Sequence, residues 1–331
     1  MLIVIAIIIL ALLFSFLNGA NDSANEIATV TAAKALSPIK ALFLSSFFNT
    51  LGSFVSIKVA ETIGKGIIFP QYMTSSILLA GIMGACVWTF ACTHLGIPIS
   101  VTHALVGGLM GSGMAFGGLK IINWAILKNK VFLAILLGPA LGFLAGAFFL
   151  VLISWLLYSF FKETSNTKAE NFFRKSQIIT APFLSLTHGM NDAQNAMGII
   201  AAALLVGGYI TTFTIPLWVK LSCGTAMGLG VFIFGWRVIK TLGWKLTKIE
   251  PKHGFNVQIG AGSVVGLMSL LGMPVSTTHI VASAIMGGTV LENWRRVKQQ
   301  IAQTMVISWI ITIPCSALMG VLFFFAIDKI F

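Results

Sequence analysis

Apolar runs recur along the whole of this 331-residue chain, at 1–17, 41–57, 75–93, 131–161, 199–219 and 301–327. A helix needs about 20 predominantly apolar residues to cross a bilayer, and between these runs no stretch is long and polar enough to build a soluble domain. Only 9% of the residues are charged and 57% are hydrophobic, whereas soluble domains carry roughly 25% charged residues. Most of the surface must therefore face lipid. The expectation is an all-α integral membrane protein with about 10–12 transmembrane segments. Residues 1–17 read as part of the first crossing and not as a cleaved leader, because no basic residue precedes the run and no small-residue cleavage site follows it. Cys86, Cys92, Cys223 and Cys315 have no metal-type spacing and read as small apolar side chains.

Crossings are expected at 1–33, 41–60, 75–94, 97–117, 131–161, 177–206, 213–235, 257–272, 275–291 and 302–327. The formal charge of +12 then reads as basic loops beside anionic lipid, with no nucleic-acid partner. Strict alternation puts fourteen Lys and Arg on one side, Lys34, Lys40, Lys168 and Lys252 among them, and seven on the other. The basic side is expected to be cytoplasmic. That makes the chain a multi-pass protein of the cell membrane with both termini outside.

An internal repeat sets the architecture. NGANDSAN at 18–25 matches HGMNDAQN at 188–195, and GIPISVTH at 96–103 matches GMPVSTTH at 272–279. The order is the same and the offset nearly so. The chain divides into an N-terminal membrane repeat at 1–161, a short cytoplasmic linker at 162–176 and a C-terminal repeat at 177–331. An odd number of crossings per copy obliges the copies to insert in opposite directions. Two inverted-topology repeats, with discontinuous helices at the midplane and a site between them, are the plan of secondary transporters.

The repeated segments also carry the chemistry. Asn21, Asp22, Asn25 and Glu26 fall at i,i+3 and i,i+4 spacings and can share a helix face. The second copy supplies Asn191, Asp192 and Asn195, with Ala196 where the first has Glu26. A carboxylate inside a membrane is costly and marks a functional site unless it only ties helices together. In the second motif Gly96 and Pro98, and Gly272 and Pro274, are expected to interrupt helices. Ser100 and Thr102, and Ser276, Thr277 and Thr278, then stand at fresh helix N-termini, which suit an oxyanion. Within single motifs a proline kink with back-bonded hydroxyls would serve as well. His103, His188 and His279 are polar links between helices or candidates for carrying a proton or gating. The Gly-x-x-x-Gly pairs at 107/111, 113/117, 138/142 and 224/228 read as packing devices. No Lys or Arg lies in any motif, so an anion there needs a bound cation to offset the carboxylates. Two amides beside each acid favour sodium over a proton.

At these residues the chain resembles the inorganic phosphate transporter (PiT) family, and the resemblance runs essentially end to end. It implies phosphate uptake by symport with sodium or protons, an inverted-repeat helical fold and a homodimer. It implies that Asn21, Asp22, Asn25, Asn191, Asp192, Asn195 and Glu26 bind cation and phosphate. The sodium ligands would be Asn21, Asp22, Glu26, Asn191 and Asp192. Ser100, Thr102, Ser276, Thr277 and Thr278 would contact phosphate or cation. The expected partners are inorganic phosphate, a sodium ion and the lipid bilayer, with no cofactor beyond the coupling ion. The large soluble loop of many relatives is replaced here by the short stretch 162–176. Sulfate or another tetrahedral oxyanion is the alternative cargo, and an anion channel or membrane enzyme the alternative class. No Gly-x-x-x-x-Gly-Lys-Ser/Thr phosphate loop is present, so ATP does not drive the chain directly.

Overall fold

A computed structural model describes residues 1–95, 97, 99–161, 166–243, 250–293 and 299–329. The helices are α1 (Leu2–Ala32), α2 (Pro38–Gly52), α3 (Lys58–Gly66), α4 (Ser75–Leu95), α5 (Val101–Gly117) and the short α6 (Trp124–Ile126). A π-helical turn, Leu127–Phe132, leads from α6 into α7 (Leu133–Phe161). The second part holds α8 (Asn166–Val206), α9 (Leu217–Gly243), α10 (Pro251–Leu270), α11 (Thr277–Asn293) and α12 (Gln299–Asp328). Residues 166–176, expected in the linker, continue α8. Among the described residues, five segments are long and apolar enough by themselves to cross a membrane: Leu2–Ala32, Ser75–Leu95, Trp124–Ser159, Leu217–Phe234 and Val306–Asp328. α8 lies at the centre and packs on α1, α2, α3, α9 and α10. Its polar side chains from Gln177 to Asn195 are mostly buried against these helices.

Two departures from the expected crossings shape the site. The segment expected at 41–60 is α2 followed by α3, broken at 53–57. Hydroxyls compete with the helical ladder there. Ser53 Oγ donates to Thr50 O at 2.7 Å and to Lys220 O at 3.2 Å. Both pieces run along α8 in one direction, with Ser45 on Ser185 and the Ala60 N–H on Gln194 Oε1.

The other departure concerns 75–94 with 97–117, and 257–272 with 275–291. These pairs are hairpins, and neither runs the full length of α8. The base of α4–α5 is fastened by Phe69 N–H to Ile121 O and Asn123 N–H to Ile67 O, each 3.0 Å. The base of α10–α11 is fastened at Glu292, which lies 2.9 Å from Lys252 Nζ and 2.8 Å from His253 Nε2. α10 follows α8 upward through Gln177 with Pro251, Thr180 with Gln258 and Asn191 with Ser269. It ends at the level of Asn191, about 22 Å short of the end of α8 at Val206, at 1.5 Å rise per residue. The tip of α4–α5 reaches α8 at Asn195 through Thr102. The two turns thus meet at one level from opposite ends of α8.

Their local chemistry is duplicated. Ile97 N–H bonds Cys92 O at 2.9 Å, and Met273 N–H bonds Met268 O at 3.0 Å. Gly272 ends α10 with a φ of 69°, a conformation that penalises any side chain. Ser100 and Ser276 cap α5 and α11 by accepting from the His103 and His279 amides at 3.2 and 3.4 Å. Gly96 and Pro98 lie outside the described residues.

The halves are interleaved and not side by side. α5 packs on α12 and α11 packs on α7, each hairpin held by the last helix of the other half. Gly107 and Gly111 bring α5 against the backbone of α12, Gly138 and Gly142 bring α7 against α11, and Gly224 and Gly228 bring α9 against α2. Gly113 and Gly117 instead face the side chains of Ile68 and Ile121. A side chain at Gly111 would drive into the main chain of Ala317. Gly111→Val is expected to cost about 1–3 kcal/mol, read as a lower thermal unfolding midpoint in detergent. Leu136→Val, on a 71%-exposed lipid-facing position, is expected to leave the midpoint within error.

Candidate functional site

The centre of the molecule is a sealed polar cluster on facing stretches of α1 and α8. Asp22, Glu26, His188 and Asp192 are each no more than 2% exposed. His188 is the hub. Its Nδ1 lies 2.6 Å from Glu26 Oε1 and 2.8 Å from Asn49 Oδ1. Its Nε2 lies 3.1 Å from Asp192 Oδ2 and 3.6 Å from Asp22 Oδ2. Both ring nitrogens face acceptors, and both donate at once only when the ring carries two protons.

Neutral donors complete the shell. Asn49 Nδ2 donates to Glu26 Oε2 at 2.6 Å, and Ser45 Oγ donates to the same oxygen. Asn18, with its amide nitrogen turned to the acids, reaches Oδ2 of both Asp22 and Asp192 at 3.3 Å. Asn191 donates to Asp192 Oδ1. One ligand atom each from Asp22, His188 and Asp192 lie within 4.8 Å of one another, an arrangement that can hold a metal ion. Among the described residues, the lysine ion pairs are Lys65 with Glu61 and Lys252 with Glu250 and Glu292. None reaches the cluster.

The hairpin tips close over this cluster through bonds that repeat in the two copies. Asn25 Nδ2 donates to Thr278 Oγ1 at 2.8 Å, and Asn195 Nδ2 donates to Thr102 Oγ1 at 2.9 Å. Each repeated asparagine thus grips the hairpin of the opposite half. Asn21 Nδ2 donates to Thr93 Oγ1 at 2.7 Å, and Asn191 Oδ1 accepts from Ser269 Oγ at 3.2 Å, each within its own half. The copies differ at Thr278, whose hydroxyl also donates to Asp22 Oδ1 at 2.5 Å. They differ again where Asn191 bonds Val275 O at 2.9 Å.

The two histidine rings of the tips, His103 and His279, stand 5.4 Å apart between centroids. Thr277 Oγ1, Asn195 Oδ1 and both ring nitrogens of His103 are buried without a hydrogen-bond partner among the described residues. Unpaired buried polar atoms are rare and costly, and here they gather at the meeting point of two helix N-termini.

Every site residue expected from the motifs therefore lies in or beside the cluster, in unequal roles. Asp22, Glu26, Asp192 and His188 form its centre. Asn21, Asn25, Asn191 and Asn195 fasten the hairpins, together with Thr102 and Thr278. Ser100 and Ser276 accept from the His103 and His279 amides as caps of their own helices, and each hydroxyl retains a hydrogen to donate. The motifs did not point to Asn18, Ser45, Asn49 or Ser185. Asn18 had a signal, since it is the first residue of NGANDSAN and aligns with His188 in HGMNDAQN. Ser45, Asn49 and Ser185 lie outside the repeated segments, and only packing of α2 on α8 brings them in.

A family model described as "Phosphate transporter family" matches residues 18–320. Among curated proteins, the chain is 39% identical to a probable low-affinity inorganic phosphate transporter of Rhizobium meliloti, over 99% of this chain and 97% of that one. It is 38% identical to a protein of the same description from Bacillus subtilis, over 100% and 99%. Among solved structures it matches one titled "The sodium-dependent phosphate transporter", with a TM-score of 0.92, 27% identity and full coverage of both chains.

Removing His188 would leave Glu26 facing two aspartates without their shared partner. His188→Ala is expected to destabilise by about 3–5 kcal/mol, the usual cost of stranding a buried charge. Adding Glu26→Gln should recover part of that loss, because one stranded charge is removed. Thermal midpoints of the single and double variants in detergent measure the coupling, and additive losses would show that the two groups do not interact.

Proposed function

Because the chain belongs to the phosphate transporter family, we propose that it carries inorganic phosphate across the membrane by symport with sodium at the Asp22–Asp192 cluster. The observation that carries this reading is a cluster of three carboxylates, two of them the repeated aspartates, with no lysine or arginine beside them among the described residues. With the acids ionised, even a doubly protonated His188 leaves the cluster negative. Two unit charges 4 Å apart interact by about 4 kcal/mol at an effective dielectric of 20, so each ionised acid opposes a nearby phosphate on that scale. A sodium ion held by oxygens of Asp22, Asp192 and the asparagines Asn21 and Asn191, with Glu26 nearby, offsets one of those charges and so weakens the repulsion.

Phosphate then has a place at the hairpin tips. The N-termini of α5 and α11 converge there, offering free amides and partial positive charge. The partnerless Thr277 hydroxyl and the side chains of Thr102, Thr278, Asn25 and Asn195 are the remaining donors. Ser100 and Ser276 serve through their caps, which hold those N-termini in shape. Nothing in this scheme makes or breaks a covalent bond, as befits a family of transporters.

Cation and phosphate must reinforce one another. By linkage, the factor that sodium adds to phosphate affinity equals the factor that phosphate adds to sodium affinity. Calorimetric titration of phosphate in sodium and then in choline, at fixed pH, is expected to show at least tenfold tighter binding in sodium. Equal affinities would rule sodium out, and repeating the titration across pH would then expose a proton. Asp22→Asn and Asp192→Asn are each expected to abolish coupled uptake into proteoliposomes while the protein stays folded. Normal uptake by both variants would end the site assignment.

The proposed membrane arrangement is inverted, with both termini outside and the α10–α11 base cytoplasmic. The hairpins do not change the parity, since each enters and leaves on one face. Single cysteines at Lys120 and Glu250 are expected to react with an impermeant reagent from opposite faces. Reaction of both from the same face would refute the inversion.

A further inference from the structure

The turn between α10 and α11 is fastened from outside its own half. The carbonyls of Leu271 and Gly272 lie past the end of α10, where main-chain oxygens lack helical partners. Each accepts a side-chain donor from the first half of the chain. Lys130 Nζ, in the π-helical turn before α7, donates to Leu271 O at 2.5 Å. Thr62 Oγ1 on α3 donates to Gly272 O at 2.7 Å. Among the described residues Lys130 has no carboxylate partner. Its charge is committed to the C-terminal end of α10, where the helix dipole is negative.

Among the described residues the first hairpin shows no such fastening at Leu95; Gly96, the counterpart of Gly272, lies outside them. The turn of this hairpin repeats the second in main-chain bonding and in its serine cap. Leu95 stands where Leu271 stands, yet among the described residues no side chain donates to its carbonyl. Among the described residues the duplication is broken between Leu95 and Leu271. It is broken where the tip carries Thr278 onto Asp22 and Asn25, so whatever holds Leu271 and Gly272 also holds Thr278 over the cluster.

We propose that Lys130 and Thr62 form a latch. They are positioning residues that keep the α10–α11 tip shut over the Asp22–Asp192 cluster and let go when the cluster opens toward the face bearing Lys252 and Glu292. The proposal rests on the reading of that cluster as the transport site. A site sealed this far exchanges solutes only if a covering element moves. The α10–α11 hairpin enters from the Lys252 face, touches Asp22 through Thr278 and is held by bonds that can be exchanged for water. Lys130 keeps a half-exposed position from which its ammonium can be solvated once the carbonyl departs.

The test is the rate at which Thr277→Cys reacts with an impermeant thiol reagent in proteoliposomes, in a background lacking the four native cysteines. Reagent is supplied to one face and then to the other. Lys130→Met is expected to raise labelling from the Lys252 face about tenfold, the scale of a lost charge-assisted hydrogen bond. Thr62→Val should raise it about threefold, and Lys130→Arg should restore the original rate. Unchanged labelling, a rise from the Lys120 face alone, or a lower thermal midpoint without faster labelling would each overturn the latch. Phosphate uptake by the otherwise unaltered chain is measured in parallel. Its absence would count against the transport reading and not against the latch.

Discussion

Three carboxylates buried in an apolar molecule are the constraint on which everything else depends. A single acid at the centre of a bilayer costs about 2.5–3.5 kcal/mol on insertion scales, and here Asp22, Glu26 and Asp192 share one small volume. They are tolerable because His188 addresses all three, while Asn18, Ser45, Asn49, Asn191 and Thr278 supply donors to the remaining oxygens. Those donors come from α1, α2, α8 and α11, so the polar cluster dictates which helices must touch. Glycines make the approach close enough: Gly189 lies on the main chain of Asn49, Gly52 on Leu186 and Gly19 on Met227. Packing in the slab thus follows from the polar centre.

The hairpins convert that centre into a site. A helix that begins beside the cluster presents its terminal amides where a through-running helix would present only side chains. α5 and α11 do this from opposite ends, and the repeated asparagines Asn25 and Asn195 each hold the hairpin of the other half. The exchange of partners explains why the copies are interleaved, with α12 on α5 and α7 on α11. Neither half could complete its own pocket.

Most of the site was legible before any geometry. Asp22, Asp192 and the four asparagines repeat at matched positions, and a charged residue in an apolar run must be compensated or put to use. Three residues are less legible. His188 looked like an ordinary link between helices and is the hub of the cluster. Its importance comes from Glu26, which belongs to the other half and has no counterpart in its own. Ser100 and Ser276 read as ligands for an anion and also cap their helices, a role set by the local turn. Ser45, Asn49 and Ser185 gave no sign at all, because polar residues on α2 and α8 are informative only once those helices are known to face one another.

Composition and the internal repeat determined that this chain would be helical, would lie in a membrane, and would pair two Asn-Asp segments and two Ser-Thr-His segments. These follow from near-neighbour rules and from the cost of exposing main-chain polar groups to lipid, which every part of the chain obeys on its own. Only the tertiary structure decided that α4–α5 and α10–α11 bring their turns together at the level of Asn191 and Asn195 and that 41–60 breaks into two helices. Apolar content reports whether a helix is surrounded by nonpolar matter and does not distinguish lipid from the flank of another helix. How deep a helix reaches is set by where its tip finds partners. For α5 and α11 those partners are Asn195, Asn25 and Asp22, far away in the sequence and brought near only by the fold.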